Sequence, residues 1–274
     1  VIDQTRSVEE AAESSWVNAS VAPDGSTMVM WKVIGRGMFS NVYDAKANRW
    51  GGLHSMGTRN ADNSSSDGWY SIAKDKVGNA LILWSQSAWG GSAAAIWSRR
   101  FNFETGWGDA QNASVLPFGY ADPVPSMVLY PDGTALAVWS KVGTLNPGDF
   151  FNTYTLVYST YSPESGWTVA QNIDGARPRG NSIFGIASDG NGNSLVYWDE
   201  FDRDTRMGQV KLLSRKVGGG WRPVEAVLRR FSPPITEMFK ASLADDGTVS
   251  ILWSERKSVY FPSVLTVHAS HRSP

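Results

Sequence analysis

The chain has 274 residues, 42% of them hydrophobic, with a formal charge of −1, thirteen tryptophans, three histidines and no cysteine. A charge this close to zero lacks the basic excess that nucleic-acid or anionic-membrane binding draws on, and the lack of cysteine excludes disulfides, thiol catalysis and the commonest soft metal ligands. No apolar run approaches the ~18 residues of a transmembrane helix and no charged-then-apolar leader opens the sequence, so any export signal is expected to have been removed.

A glycine followed six residues later by tryptophan recurs at Gly25/Trp31, Gly78/Trp84, Gly133/Trp139, Gly192/Trp198 and Gly247/Trp253. Successive tryptophans of this series stand 53 to 59 residues apart, which suits a four-stranded blade with variable loops. The spacing predicts a single all-β domain over residues 1–274, a five-bladed β-propeller of four-stranded antiparallel blades.

In chain order, residues 5–12 come first. Their core, Arg6-Ser7-Val8-Glu9-Glu10-Ala11, resembles the later segment Arg222-Pro223-Val224-Glu225-Ala226, so a strand is expected there. Repeats one and two carry the hairpin turns Asp24-Gly25 and Asp75 to Asn79, and the third repeat shows the grammar most plainly. Ser126 to Tyr130 reads as a strand, Pro131-Asp132-Gly133 as a tight turn, and Thr134 to Lys141 as its partner strand. Tyr154 to Ser162 follows as a third strand, then a turn, then Trp167 to Ile173 as a fourth. Turns at Asp189 to Asn193 and Asp246-Gly247 repeat the pattern, and Trp50, Trp107, Trp167 and Trp221 each open a fourth strand. The last repeat reaches Pro274 after its third strand, so the N-terminal strand is expected to complete that blade and close the ring.

Runs such as Ala80-Leu81-Ile82-Leu83-Trp84 and Ala135-Leu136-Ala137-Val138-Trp139 are apolar at every position. Both faces of those strands must therefore be buried, as between neighbouring blades. Burying one aromatic side chain removes ~150–250 Å² from water, about 4–6 kcal/mol before entropy and strain are subtracted. Packing alone thus accounts for the repeated tryptophan.

An Asp-Gly hairpin leading into a β-run that ends in Trp, as from Asp132 to Trp139, resembles the repeats of bacterial exported tandem-repeat β-propellers. It is loosely similar to the Asp-box hairpins of sialidase-like propellers, whose motif occupies a shorter span. The resemblance implies a propeller and a secreted, periplasmic or cell-surface location, and it carries over no functional residue. In blade number the chain is also similar to tachylectin-like sugar binders and five-bladed glycosidases.

With the Asp-Gly turns on one rim, the second-to-third and fourth-to-first connections occupy the other. The former carry Phe39, Trp89, Phe151, Phe201, Asp202, Arg203, Tyr260 and Phe261, and the latter add Tyr120, Arg177 and Arg179. Aromatic platforms beside polar groups grip sugar faces or peptide side chains, so the leading expectation is a noncatalytic module that binds carbohydrate or a protein partner. A glycoside hydrolase or lyase would need two convergent carboxylates. Glu200 and Glu255, each two residues beyond a repeated tryptophan, are the candidates. A structural interaction domain of a surface assembly is the third reading. Asp24, Asp132 and Asp246 read as turn formers, not calcium ligands, and His54, His268 and His271 as packing or surface residues, so neither metal nor cofactor is expected.

Overall fold

In the computed structural model the described residues are 14–33, 37–56, 66–75, 78–87, 94–114, 124–142, 154–178, 184–202, 207–231, 235–256 and 265–272. They form antiparallel sheets joined in sequence order. The first sheet contains β1 (Ser14–Val21), β2 (Thr27–Val33), β3 (Gly37–Asp44), β4 (Arg49–Trp50) and β5 (His54–Ser55). β6 (Ser66–Lys74), β7 (Ala80–Ser87), β8 (Ala94–Asn102), β9 (Gly106–Trp107) and β10 (Gln111–Asn112) make the second. The third has β11 (Ser126–Leu129), β12 (Ala135–Val142), β13 (Tyr154–Ser162), β14 (Gly166–Trp167) and β15 (Gln171–Asn172). β16 (Phe184–Ser188), β17 (Ser194–Asp202), β18 (Met207–Arg215) and β19 (Glu225–Phe231) form the fourth, and β20 (Ile235–Leu243), β21 (Val249–Arg256) and β22 (Leu265–Arg272) the fifth. The fourth strand expected in each repeat is thus two short pieces in the first three sheets, and one strand preceded by an Arg215–Trp221 bridge in the fourth.

The Asp-Gly turns are one structure built five times. In the third repeat Tyr130 N–H donates to Thr134 C=O and Gly133 N–H to Tyr130 C=O, and the same pair recurs from Ala22, Asp75, Asp189 and Ala244. This is a type I turn followed by a left-handed residue. Only the glycine takes positive φ, between 81° and 87° at Gly25, Gly78, Gly133, Gly192 and Gly247; the aspartate contributes its carboxylate instead. Asp132 Oδ1 accepts from Thr134 N–H at 2.9 Å, and Asp24 and Asp246 accept likewise from Ser26 and Thr248. At Asp132 the Thr134 hydroxyl, donating to the same oxygen at 2.7 Å, and then the N–H hold the carboxyl below its ordinary range, while at Asp24 and Asp246 the N–H bond leads. In repeats two and four the acid moves to the start of the turn, where Asp75 and Asp189 accept from Asn79 and Asn193 N–H.

The strands gather into two compact units, residues 1–125 with 162–169, and residues 126–161 with 170–274. In the first unit, Met28, Met30, Met38 and Met56 pack with Ile82 and Trp84 between the first and second sheets. In the second, Leu136, Val138, Leu156, Val196 and Trp198 fill the space between the third and fourth sheets, and Leu195, Tyr197, Leu212 and Ile251 that between the fourth and fifth. Residues 80–85, 135–140 and 194–199 are buried without a break, as their unalternating apolar sequence requires. The central strands of the first and fifth sheets instead alternate in part: β2 buries Met28 and Met30 but leaves Trp31 only partly buried, and β21 buries Ile251 but exposes Leu252. No helix among the described residues is long and apolar enough to cross a membrane.

Candidate functional site

Within each sheet, the second-to-third connection leaves from the end opposite the Asp-Gly turn, because antiparallel pairing reverses the chain at alternate ends. The expected ligand residues Trp89, Tyr120, Phe151, Arg179, Arg203, Tyr260 and Phe261 lie outside the described residues. Phe39 is not in a loop. It is the third residue of β3, directly opposite Trp31, with the two rings stacked at 6.3 Å. Phe201 and Asp202 end β17 opposite Gly208 and Met207, and Arg177 is exposed after the Asp174-Gly175 turn.

Glu200 has a role that sequence reasoning missed. Its Oε2 accepts from the Trp198 indole Nε1–H at 3.1 Å and its Oε1 from Lys211 Nζ at 2.7 Å. Residues i and i+2 share a strand face, so a glutamate two positions past the repeated tryptophan is placed to satisfy the indole. Lys211 stands directly opposite Trp198 on β18 and closes the trio. Both carboxylate oxygens are engaged in holding the fourth sheet together. Glu255 has the same offset from Trp253 and sits on β21 opposite Thr266.

A cleft of about 350 Å³ opens in the first unit between the outer strands of the first and second sheets. Phe101, Phe103 and Trp107 supply aromatic walls, while Asn41, Asp44, Arg49 and His54 supply polar groups. Phe101 meets Phe103 and Trp107 edge-on at 5.1 and 5.2 Å. The His54 ring lies parallel to Trp107 at 4.9 Å, and the Arg99 guanidinium is 5.7 Å from the centre of that indole. Neither His54 nor the cleft was expected to be special from sequence.

The repeats explain why the cleft is here. Counting from the residue opposite each repeated tryptophan, Ser40 of β3 corresponds to Tyr158 of β13, because Phe39 faces Trp31 and Val157 faces Trp139. Counting from the fourth-strand tryptophan, Gly51-Gly52 correspond to Thr168-Val169 and Arg222-Pro223. In the second unit Tyr158 fills the corresponding space, packing edge-on against Trp221 at 5.2 Å and donating its hydroxyl to Gln171 Oε1 at 2.5 Å. The first sheet has a buried serine and two glycines at these places, so its wall lacks those side chains.

His54 Nε2 is buried and has no hydrogen-bond partner among the described residues. Burial, reinforced by the Arg99 charge, holds the His54 pKa below its ordinary 6.5. An unfolded chain then binds this proton more readily than the folded one, so stability is lost as pH falls from 6.5 toward the folded value. Thermal melts between pH 8 and 5 are expected to show this loss in the wild type, and a shallower slope in His54→Gln, which restores the residue type found at Gln111 and Gln171.

No family model matches the sequence, and no curated protein matches it. Among solved structures, the chain is similar in fold to the polysaccharide lyase Uly1, with TM-score 0.56 and 10% identity over 95% of this chain and 58% of that one. It spans less than two thirds of the lyase. It is also similar to an α-L-arabinanase of Penicillium chrysogenum complexed with arabinobiose, with TM-score 0.54 and 12% identity over 92% of this chain and 75% of that one. The fucose-specific lectin of Aleuria aurantia gives TM-score 0.52 and 12% identity over 92% of this chain and 77% of that one. The arabinanase and the lectin are β-propeller proteins, and the likeness is one of fold.

Proposed function

We propose that this chain is a noncatalytic carbohydrate-recognition module, a single five-bladed propeller displayed outside the cytoplasm in a secreted, periplasmic or cell-surface setting. The observation that carries the reading is the polarity of every sheet. One end holds the same turn five times, while the other holds connections that differ in length and bear Trp89, Tyr120, Phe151, Arg179, Arg203, Tyr260 and Phe261. A constant end and an aromatic, variable end are what a scaffold presenting one binding rim requires. The lectin, arabinanase and lyase all handle sugars by their names, which supports a saccharide over a protein ligand. The engagement of Glu200 by Trp198 and Lys211 favours binding over hydrolysis. Binding to a subset of a glycan array, lost on Trp89→Ala or Phe151→Ala, is the expected result.

Closure of the ring is part of the same proposal. The fifth sheet has three strands among the described residues, and on this reading residues 5–12 supply a fourth. Glu225 pairs with Leu212, and Leu212 corresponds to Ala269 because Lys211 faces Trp198 as His268 faces Trp253. Glu9, the counterpart of Glu225, therefore belongs opposite Ala269. The chain has no cysteine, so a Glu9→Cys/Ala269→Cys variant gives an unambiguous readout. Mild oxidation is expected to produce an intramolecular disulfide detectable by mass spectrometry, and a variant that stays reduced contradicts the closure.

A further inference from the structure

We propose that the cleft bounded by Phe101, Phe103, Trp107, His54, Asp44 and Arg49 binds one or two rings of a neutral saccharide, independently of the variable rim. The choice of a saccharide rests on the carbohydrate reading and on the chemistry of the wall.

The polar groups make unlike demands. A carboxylate only accepts hydrogen bonds, a guanidinium only donates them, and an imidazole nitrogen does either according to tautomer. Vicinal hydroxyls meet all three demands at once, since each both donates and accepts. A carboxylate or phosphate ligand would be repelled by Asp44, and an ammonium by Arg49. Asp44 is fixed by the bond that its Oδ1 accepts from Ala47 N–H at 3.0 Å. His54 Nε2, without a hydrogen-bond partner among the described residues, is the kind of buried polar atom that calls for a ligand or water partner. The C–H face of a sugar ring then has Phe101 and Phe103 to lie against, because His54 already covers a face of Trp107. A volume of about 350 Å³ stands at the small end of ligand pockets, which limits occupancy to one or two rings.

Ser40, Gly51 and Gly52 withhold side chains that Tyr158, Thr168 and Val169 provide at corresponding places in the third repeat. The second repeat shares part of this construction, with Ser98 and Gly108 where the first has Ser40 and Gly51, but Asp109 stands in place of Gly52 and the Trp167 indole donates to Ser98 Oγ at 2.7 Å. Gly52 has open space around the position of an added Cβ and no positive φ, so a large residue there can be tested without backbone strain.

The test uses the full chain with its tryptophans labelled at the indole nitrogen, titrated with methyl-α-L-fucoside, arabinobiose and a panel of methyl glycopyranosides. A saccharide that shifts the Trp107 indole resonance, with affinity reduced at least tenfold in Arg49→Gln, Asp44→Asn and Gly52→Phe but unchanged in Trp89→Ala and Phe151→Ala, is the expected result. All three cleft variants change half-buried or exposed positions, and their melting temperatures report whether folding is intact. Two results overturn the cleft. One is saccharide binding lost only in the rim variants, which leaves the recognition reading standing; the other is a Trp107 resonance untouched by every probe. A blank glycan array alongside a shifted Trp107 resonance would instead remove the rim and keep the cleft.

Discussion

Trp139→Ala and Trp198→Ala are each expected to destabilise the protein by about 3–5 kcal/mol in equilibrium urea unfolding, the usual cost of emptying a large aromatic site in a close-packed core. Both side chains are 0% exposed. Trp198 loses more than volume, because its removal also strips Glu200 Oε2 of a donor. Trp31→Ala is expected to cost clearly less, since Trp31 is only partly buried, with its ring stacked on Phe39. The same sequence motif thus has unequal weight along the chain. Equal losses at Trp31 and Trp139 would contradict the burial pattern described for the first and third sheets.

Gly185→Ala is the second large effect. Gly185 of β16 lies directly opposite Tyr197, and an added Cβ would overlap the Tyr197 ring and hydroxyl. Tyr197 cannot retreat easily: it is buried among Leu195, Leu212 and Ile251, and its hydroxyl environment includes a hydrogen bond with the backbone of Ala241. Overpacking a site of this kind costs about 1–3 kcal/mol, and the upper part of that range is expected here. Tyr197→Val is destabilising alone through lost volume, but it removes the ring that the alanine strikes. The double variant is therefore expected to be more stable than the sum of the single effects implies, a coupling read directly from a double-mutant cycle. Strict additivity would mean that the glycine is not there to admit the ring.

The hairpin grammar was legible because it is local. Asp132-Gly133 needs only neighbouring backbone to form its turn, and the observed strands β11, β12 and β13 begin and end within a residue or so of the positions that the sequence suggests. The unbroken apolar runs foretold two-sided burial correctly for β7 and β12. Glu200 was legible only by halves. Its shared face with Trp198 follows from strand periodicity, but Lys211 comes from the next strand, and the register of that pairing is not written in either segment. Phe39 was misplaced because β3 starts at Gly37, immediately after a short connection. The cleft was invisible in any single repeat. Aligning repeats one and three on their fourth-strand tryptophans exposes it, since Gly51-Gly52 against Thr168-Val169 is a difference in what is missing.

The central claim is that this scaffold recognises carbohydrate. The measurement that tests it most directly is a glycan array probed with the labelled full-length chain, with hits quantified by calorimetry. The account predicts saturable binding to a chemically related subset of glycans and no turnover of those glycans. Failure to bind any glycan at millimolar concentration, or hydrolysis of the bound ones, would contradict it.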